Sequence, residues 1–300
     1  MTTTLSGNAP FFSIVIPAYN RGNLIRPTLE TILAQNFPDF EIILVDDGST
    51  DDTEQVIKSF TDTRIRYHKI ANGERGFARN YGAAKTKGKY LNFFDSDDHM
   101  LPGRLSVARQ FITDRNNPLW FHTAYRIMDE SGNVVLEEFG SNNPEEKLIE
   151  TNYLGCDSVF IEREFFLQNK FQEDRKMASS EDWELWLRLI SRQPLLRCET
   201  ITLNMINHAN RSLFTISPDK TVERDTLLLQ YLLRDNVFVN KFKSALPLFE
   251  ADRYTFFALT LLVAKRKREA YDYLVRSFQV SGKVLTRKRF WACIKKLVFA

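Results

Sequence analysis

The stretch Tyr90–Asp98, which reads YLNFFDSDD, decides the fold of this chain. A short apolar run with aromatic residues ends abruptly in carboxylates, which is typical of a buried strand that reaches solvent at its carboxyl end. Ligands of open α/β sheets collect at such strand ends. Carboxylates this close together repel one another, and a hard divalent ion such as Mg²⁺ or Mn²⁺ would relieve that repulsion. An acidic surface loop without a ligand is the alternative for an isolated Asp-x-Asp.

Upstream of this stretch, strands and helices alternate through the first hundred residues. The pattern predicts strands over 12–16, 41–45, 65–67 and 90–94, separated by segments with apolar residues at helical spacing. Such alternation indicates a mostly parallel sheet covered on both faces. Polar loops follow three of the strands, at 18–20, 46–49 and 95–98, and we expect them to cluster along one edge of the sheet.

Local signals refine two of the intervening helices. Ser49 and Asp52 form a capping pair ahead of one helix. A second helix is predicted over 76–87, with Gly88 as its C-terminal stop. The small residues Ala78, Gly82 and Ala83 would let this second helix lie close against the sheet.

Alternation ends after residue 100, so the second half has a different architecture. A helix follows Pro102, and a hairpin is predicted over 119–139, with its turn at 129–133. Short strands are predicted at 159–161 and 201–204. Between them, Ser179-Ser180-Glu181-Asp182 opens an apolar helix. Glu181 and Asp182 have two interpretations. They belong to a capping box that begins at Ser179, or one of them is a carboxylate that takes a proton from a hydroxyl.

The composition and the absence of two motifs narrow the possible classes of protein further. The 300 residues are 43% hydrophobic, enough for a sizeable core, and the three scattered cysteines indicate neither a disulfide framework nor a zinc site. We expect no signal peptide, since the first residues are polar, and the longest apolar run, 256–264, is too short to span a bilayer. Neither a Gly-x-Gly-x-x-Gly fingerprint nor a P-loop follows the first strand.

The C-terminal part is helical and basic. Residues 265–296 carry 11 Lys or Arg and 2 Asp or Glu, which gives this segment a charge of +9. Because the whole chain has a net charge of +3, the remaining residues sum to −6. In a helix, Phe290, Ile294, Leu297 and Val298 would share one face. That face has two interpretations: peripheral membrane contact through 283–300, or packing on the rest of the protein. No nucleic-acid partner is expected, because no motif that reads bases accompanies the charge.

Five blocks in order resemble family 2 glycosyltransferases. The blocks are Ser13–Asn20 (SIVIPAYN), Val45–Asp51 (VDDGSTD), Ala78–Gly82 (ARNYG), Phe94–Asp98 (FDSDD) and Glu181–Trp183 (EDW). Each is weak alone, but their order over about 170 residues makes the resemblance strong, and it covers about residues 10–215.

The resemblance implies a GT-A fold of the α/β class: a mostly parallel nucleotide-binding sheet, an acceptor-binding half and a C-terminal helical extension. The implied domains are a glycosyltransferase domain over 1–215, divided into 10–100 and 101–215, and a basic helical extension over 216–300. It also implies inverting transfer from a nucleotide sugar, most often a UDP-sugar, to a glycan or lipid-linked glycan, with Mn²⁺ or Mg²⁺. We expect a cytoplasmic protein. If residues 283–300 contact a membrane, the protein would be peripheral on the inner face of the cytoplasmic membrane.

The resemblance also assigns roles to individual residues. On the donor side Pro17, Ala18 and Tyr19 would border the base, Asp46 would bind the uracil edge, and Arg79 would lie near base and ribose. Asp95 would face ribose or metal, and Asp97 would bind the metal. On the acceptor side Asp182 matches the catalytic base, with Glu181 and Trp183 in support. His208 falls where many members place a residue that touches metal or diphosphate.

Two other function classes stay open from the sequence. A nucleotidyltransferase on a related α/β fold would carry a Gly-rich basic loop after the first strand, and Pro17–Asn20 stands there instead. A non-catalytic protein that binds sugar nucleotides or acts as a scaffold would not need Asp46, Asp97 and Asp182 together.

Overall fold

The computed structural model describes residues 9–207 and 217–299, which divide into two compact units. The first unit contains residues 9–175 and 193–207, and the second contains 176–192 and 217–299. The domain boundary predicted at 215/216 and the predicted site residue His208 lie outside the described residues, so both stay predictions.

The first unit is built on one nine-stranded sheet with helices on its faces. Its strands are β1 (Phe12–Ala18), β2 (Phe40–Asp46), β3 (Ile65–Lys69), β4 (Tyr90–Phe93), β5 (His99–Met100), β6 (Trp120–Asp129), β7 (Val134–Glu138), β8 (Val159–Glu162) and β9 (Leu196–Asn207). Its helices are α1 (Ile25–Leu33), α2 (Thr53–Lys58), α3 (Glu74–Lys85), α4 (Arg104–Asp114), α5 (Pro144–Glu150) and α6 (Arg163–Leu167).

The strand order confirms the architecture expected for each half. The order is β3-β2-β1-β4-β8-β6-β9-β5, with β7 paired to β6. The first four strands are mutually parallel, as alternation predicts. Strand β8 then runs antiparallel to both β4 and β6. Because β8 is reversed, its amino end lies beside the carboxyl end of β4. The predicted hairpin is β6–β7.

Helix α3 lies close against the sheet, as its small residues predict. A Cβ added to Gly82 would come within 2.5 Å of Val15 Cγ1 and 3.0 Å of Val45 Cγ2. The predicted C-terminal stop is wrong, however. The helix ends at Lys85, and the extended Thr86 follows it. Gly88 serves close packing instead, since its N–H donates to Ser13 Oγ at 2.8 Å.

The second unit is helical. Its members are α7 (Glu181–Arg192), α8 (Pro218–Arg234), α9 (Asn236–Lys241), α10 (Leu246–Val263), α11 (Lys267–Val280) and α12 (Lys288–Phe299). Phe290, Ile294 and Leu297 of α12 pack into an apolar cluster with α10 and α11. Packing is therefore the correct interpretation for these three residues, whereas Val298 is 64% exposed. Within the described residues, every helix is too short or too polar to cross a bilayer.

A buried histidine gives the first unit a pH-dependent stability. His122 on β6 is 1% exposed, and burial lowers its pKa to about 4. In the unfolded chain the ordinary pKa is about 6.5, so between these values the unfolded state binds a proton that the folded state does not. Stability therefore rises with pH through this window.

We expect the free energy of unfolding to fall by about 2 kcal/mol between pH 7 and pH 5 on account of His122 alone. Urea unfolding at both pH values checks this, with His122→Leu as the test variant and His99→Gln as the control. His122→Leu should lose that part of the pH dependence, whereas the control should largely retain it. Equal pH dependence in His122→Leu and the wild type would contradict the assignment.

Candidate donor and metal site

The three polar loops of the first unit meet at the carboxyl ends of β1, β2 and β4, as predicted. Asp47 N–H donates to Ala18 O at 2.8 Å, which joins the first two loops. Arg21 Nη2 lies 3.5 Å from Asp97 Oδ2, which joins the first loop to the third. Asn20 N–H donates to Ser49 Oγ at 2.9 Å. Ser49 therefore binds the neighbouring loop, and its predicted capping of α2 is wrong.

The residues predicted to border the base differ in accessibility. Pro17 and Ala18 are the last residues of β1, and Ala18 is buried. Tyr19 follows directly and is 49% exposed. Of these three, Tyr19 is therefore the side chain that can stack on a planar ligand.

Asp46 is fully buried and holds the second loop. Its Oδ1 accepts from Ser49 N–H at 2.7 Å, and its Oδ2 accepts from the Tyr67 hydroxyl at 2.6 Å. Burial, followed by the Asp46 carboxylate, raises the pKa of Tyr67, so the tyrosine stays a donor. Contact with a uracil edge stays a prediction, and the structure gives Asp46 this positioning role as well.

Asp47, the next residue, organises the start of α3. Its Oδ1 accepts from Gly73 N–H at 2.7 Å, and its Oδ2 accepts from Glu74 N–H at 3.0 Å. Burial raises the pKa of Asp47, and these two N–H groups act in the opposite direction. Through this contact the second loop fixes the helix that carries Arg79.

Arg79 reaches the acidic loop from α3. Its guanidinium is 2% exposed and donates to Asp95 Oδ1 at 2.8 Å. The same group lies 5.4 Å from the centre of the Phe171 ring. A cation held between an aromatic ring and a carboxylate has little freedom, so Arg79 fixes the orientation of Asp95.

The acidic loop concentrates three carboxylates. Asp95, Asp97 and Asp98 can each offer an oxygen, and these oxygens all lie within 4.8 Å of one another. Asp95 and Asp97 are partly exposed, whereas Asp98 is buried and accepts from Ile206 N–H at 2.7 Å. That bond ties the loop to β9.

A fourth acid, Asp157, contacts the acidic loop, and it was not predicted from the sequence. It stands just before β8 and accepts a hydrogen bond from Asp95 N–H. Burial, and then the charge of Asp95, raises the pKa of Asp157 well above its usual range. No motif surrounds this residue in the sequence. Only the antiparallel pairing of β8 with β4 places it here.

A buried arginine binds the backbone at Asp157. Arg104 of α4 is fully buried and donates to the backbone O of Asp157 and to the hydroxyls of Thr123 and Thr202. Burial lowers the pKa of Arg104 to about 9, and the nearby Asp157 charge acts in the opposite direction. This contact ties the acidic loop to β6 and β9.

The residues present fit a hard divalent cation. All donors in the cluster are carboxylate oxygens, the ligand type that Mg²⁺ and Mn²⁺ prefer. Burial is the main cause of the raised pKa of Asp157, and the neighbouring charge of Asp95 adds to it. Asp97 belongs to this cluster, as predicted, together with Asp95 and Asp98.

The residues predicted for the acceptor side belong to the second unit, at the start of α7. Three acids stand in the first turn: Glu181, Asp182 and Glu184. Glu181 and Glu184 are buried, and Glu184 forms a bidentate ion pair with Arg188. Asp182 is the partly exposed member of the three, and so the one most open to a substrate.

Neighbouring contacts fix the helix that carries Asp182. Its Oδ1 accepts from Trp183 N–H at 2.7 Å. The Trp183 ring lies 4.8 Å from the guanidinium of Arg253, which also pairs with Asp225 and Asp252. Capping by Ser179 is wrong, because Ser180 O accepts the first helical bond, from Glu184 N–H.

Comparisons with known proteins show which family and fold the chain is similar to. The family described as Glycosyl transferase family 2 matches residues 13–171. An uncharacterized glycosyltransferase of Rickettsia bellii is 33% identical over 235 residues, covering 77% of this chain and 33% of that protein. A putative teichuronic acid biosynthesis glycosyltransferase of Bacillus subtilis, TuaG, is 30% identical over 190 residues, covering 61% of this chain and 73% of that protein.

The fold has solved counterparts as well. Residues 1–349 of TarS from S. aureus, crystallised with UDP-GlcNAc, superpose with a TM-score of 0.64 at 18% identity and cover 92% of both chains. This likeness confirms the predicted GT-A fold. The chain spans about a third of the length of the first Rickettsia relatives it matches, 33% and 31%. On the matched residues, this chain belongs to glycosyltransferase family 2.

Proposed function

We propose that the protein transfers a sugar from a nucleotide sugar, a UDP-sugar in the first instance, to a hydroxyl of a glycan or lipid-linked glycan, with inversion at the anomeric carbon. The observation that carries this proposal is the cluster of Asp95, Asp97 and Asp98 at the carboxyl end of β4 in a chain of this family. TarS, which shares the fold, was crystallised with UDP-GlcNAc. TuaG is named for the synthesis of a polysaccharide, which supports a glycan acceptor.

On the donor side, the exposed Tyr19 ring stacks on the base, with Pro17 and Ala18 forming the floor of that contact. Asp46 and Arg79 belong to the same pocket edge. Arg79 acts there mainly through Asp95, which it holds by the 2.8 Å bond. Asp95 faces the ribose or the metal.

Asp95, Asp97 and Asp98 would hold Mg²⁺ or Mn²⁺. When bound, such an ion neutralises the charge that builds on the departing diphosphate. The protein's own contribution is to keep these carboxylates together. Asp157 does so through Asp95 N–H, and the Ile206 N–H does so through Asp98.

On the acceptor side, Asp182 takes the proton from the attacking hydroxyl. An anion is favoured at a helix N-terminus, and Asp182 is the accessible acid of its turn. Attack opposite the leaving diphosphate inverts the centre, so only one carboxylate is needed on this side. Glu181 and Trp183 support Asp182 by packing, and His208 would add a contact to metal or diphosphate.

We further propose the domain division predicted above, 1–215 for transfer and 216–300 as an extension, and a cytoplasmic location where nucleotide sugars are supplied.

Release of the nucleotide tests the proposal. The purified chain is incubated with a panel of UDP- and GDP-sugars, with Mn²⁺, with Mg²⁺ and with EDTA, and free diphosphate nucleotide is measured. We expect slow hydrolysis of one donor that EDTA abolishes and Mn²⁺ restores. Absence of both hydrolysis and metal-dependent nucleotide binding would overturn the proposal. Tight binding of an intact sugar nucleotide without hydrolysis, even in the presence of candidate acceptors, would favour a non-catalytic binder.

A further inference from the structure

An exposed apolar strip runs along the C-terminal helices of the second unit. We define it by six side chains: Tyr271, Val275 and Phe278 of α11, Leu285 in the turn Gly282–Thr286, and Trp291 and Val298 of α12. Their exposed fractions run from 37% at Val275 to 64% at Val298. Within each helix the spacing of three, four or seven residues places them on one face.

The strip is continuous around the turn that joins the two helices. Trp291 Nε1 donates to Leu285 O at 2.7 Å, so the indole lies against the turn. A Cβ at Gly282 would be 3.9 Å from the Phe278 ring. Phe278, Leu285 and Trp291 therefore border the same turn and form the centre of the strip.

The strip is not part of the core of its own unit. The residues that these helices bury are Ala270, Leu274 and Ser277 of α11 and Phe290 and Cys293 of α12. That inward face is already filled by contacts with α10. The strip lies beside it and offers a second apolar surface that the described residues leave uncovered.

Cations outnumber acids along the strip, where Glu269 and Asp272 of α11 are the exposed acids. Lys267, Arg268, Lys283, Lys288 and Lys295 are exposed, and none has an acidic partner within residues 9–207 and 217–299. Lys288 and Lys295 lie three residues before and four after Trp291, on the same face of α12. By contrast, Arg266 forms an ion pair with Glu269, and Arg289 forms one with Asp252.

We infer that this strip binds the surface of an anionic lipid bilayer. Aromatic and aliphatic side chains beside lysines match the boundary between acyl chains and anionic headgroups. A nucleic acid would match the lysines but leave Val275, Leu285 and Val298 without an apolar partner. A second copy of the same surface would bring its lysines against like charges. Of the face predicted from sequence only Val298 belongs to the strip, since Phe290, Ile294 and Leu297 pack into the apolar cluster of the unit.

Co-sedimentation with vesicles tests the inference on the full chain. Vesicles of phosphatidylcholine alone are compared with vesicles containing phosphatidylglycerol, at low and high salt. The apolar test variant is Phe278→Glu/Trp291→Glu, and the charge test variant is Lys288→Glu/Lys295→Glu. Matched controls are Val237→Glu on α9, which is 46% exposed, and Lys243→Glu, which is also exposed. Circular dichroism checks that every variant is folded.

We expect binding to the anionic vesicles only, weakened by salt. Each cation near an anionic surface is worth roughly fivefold in affinity, so the charge variant should bind at least about 25-fold more weakly. The apolar variant should lose binding, and both controls should bind as the wild type does. UDP release should be unchanged in all variants, so this inference and the proposed function can fail separately.

Three results would overturn the inference. The first is that the wild type fails to bind phosphatidylglycerol vesicles, whether or not it binds RNA. The second is that both strip variants bind the vesicles as tightly as the controls do. The third is that light scattering shows a wild-type dimer that Phe278→Glu/Trp291→Glu converts to a monomer, which would mean that a second copy covers the strip.

Discussion

The Asp182→Asn variant is expected to lose about a thousandfold in sugar transfer, within the range that a general base contributes. The amide has the shape of the carboxyl group but cannot take a proton from the acceptor hydroxyl. It also retains an oxygen for the Trp183 N–H, so α7 should begin as before. Donor affinity should therefore stay close to that of the wild type. Initial rates of transfer and the dissociation constant of the UDP-sugar, measured on the same samples, give the comparison.

The matched control for Asp182→Asn is Asp219→Asn. Asp219 is also an acid in the first turn of a helix of the second unit, and it is exposed in an ion pair with Arg266. That change should leave transfer unaltered. A folded Asp182→Asn protein that lost donor affinity, or one that transferred sugar at the wild-type rate, would rule out the role of base.

The Asp97→Asn variant is expected to lose metal-dependent nucleotide release, by about a thousandfold, since a bound metal stabilises the leaving charge by several kcal/mol. Asp97 is in the partly exposed part of the cluster, with Arg21 3.5 Å away. Removing its charge weakens the hold on a cation while the buried Asp98 keeps the loop attached to β9. We expect weaker Mn²⁺ affinity by titration calorimetry and weaker Mn²⁺-dependent UDP binding, with UDP binding in EDTA unchanged.

Asp39→Asn is the control for Asp97→Asn, because Asp39 is an exposed acid directly before β2, at the amino ends of the strands. It should release nucleotide as the wild type does. If Asp97→Asn and Asp39→Asn retained equal metal-dependent release, the acidic loop would not be the metal site.

The first hundred residues could be predicted because their signals are local. The predicted strands 12–16, 41–45 and 90–94 are short and mostly apolar, and a loop with polar residues follows each, so strand and loop positions follow from the sequence. Parallel strands then bring their carboxyl ends to one edge without further information. This is why Asp46, Asp95 and Asp97 could be grouped from sequence alone.

What could not be predicted depends on partners distant in the chain. Asp157 lies 62 residues from Asp95, and only the pairing of β8 with β4 brings them together. The Ser49 hydroxyl was predicted to cap the following helix, but it accepts a hydrogen bond from Asn20 N–H of the neighbouring loop instead. On α12 the helical period identified an apolar face, but Val298 is exposed, so the period alone did not separate buried from exposed apolar residues.

The reversed direction of β8 separates the position of Asp157 from the chain that precedes it. Strand β8 is held on both sides, by β4 at Tyr90–Asn92 and by β6 at Trp120–His122. Asp157 therefore comes to the acidic loop from the amino end of an anchored strand. The segment 130–152 carries none of the carboxylates of the acidic cluster. Substitutions on the exposed side of that segment should accordingly leave metal binding at the cluster unchanged.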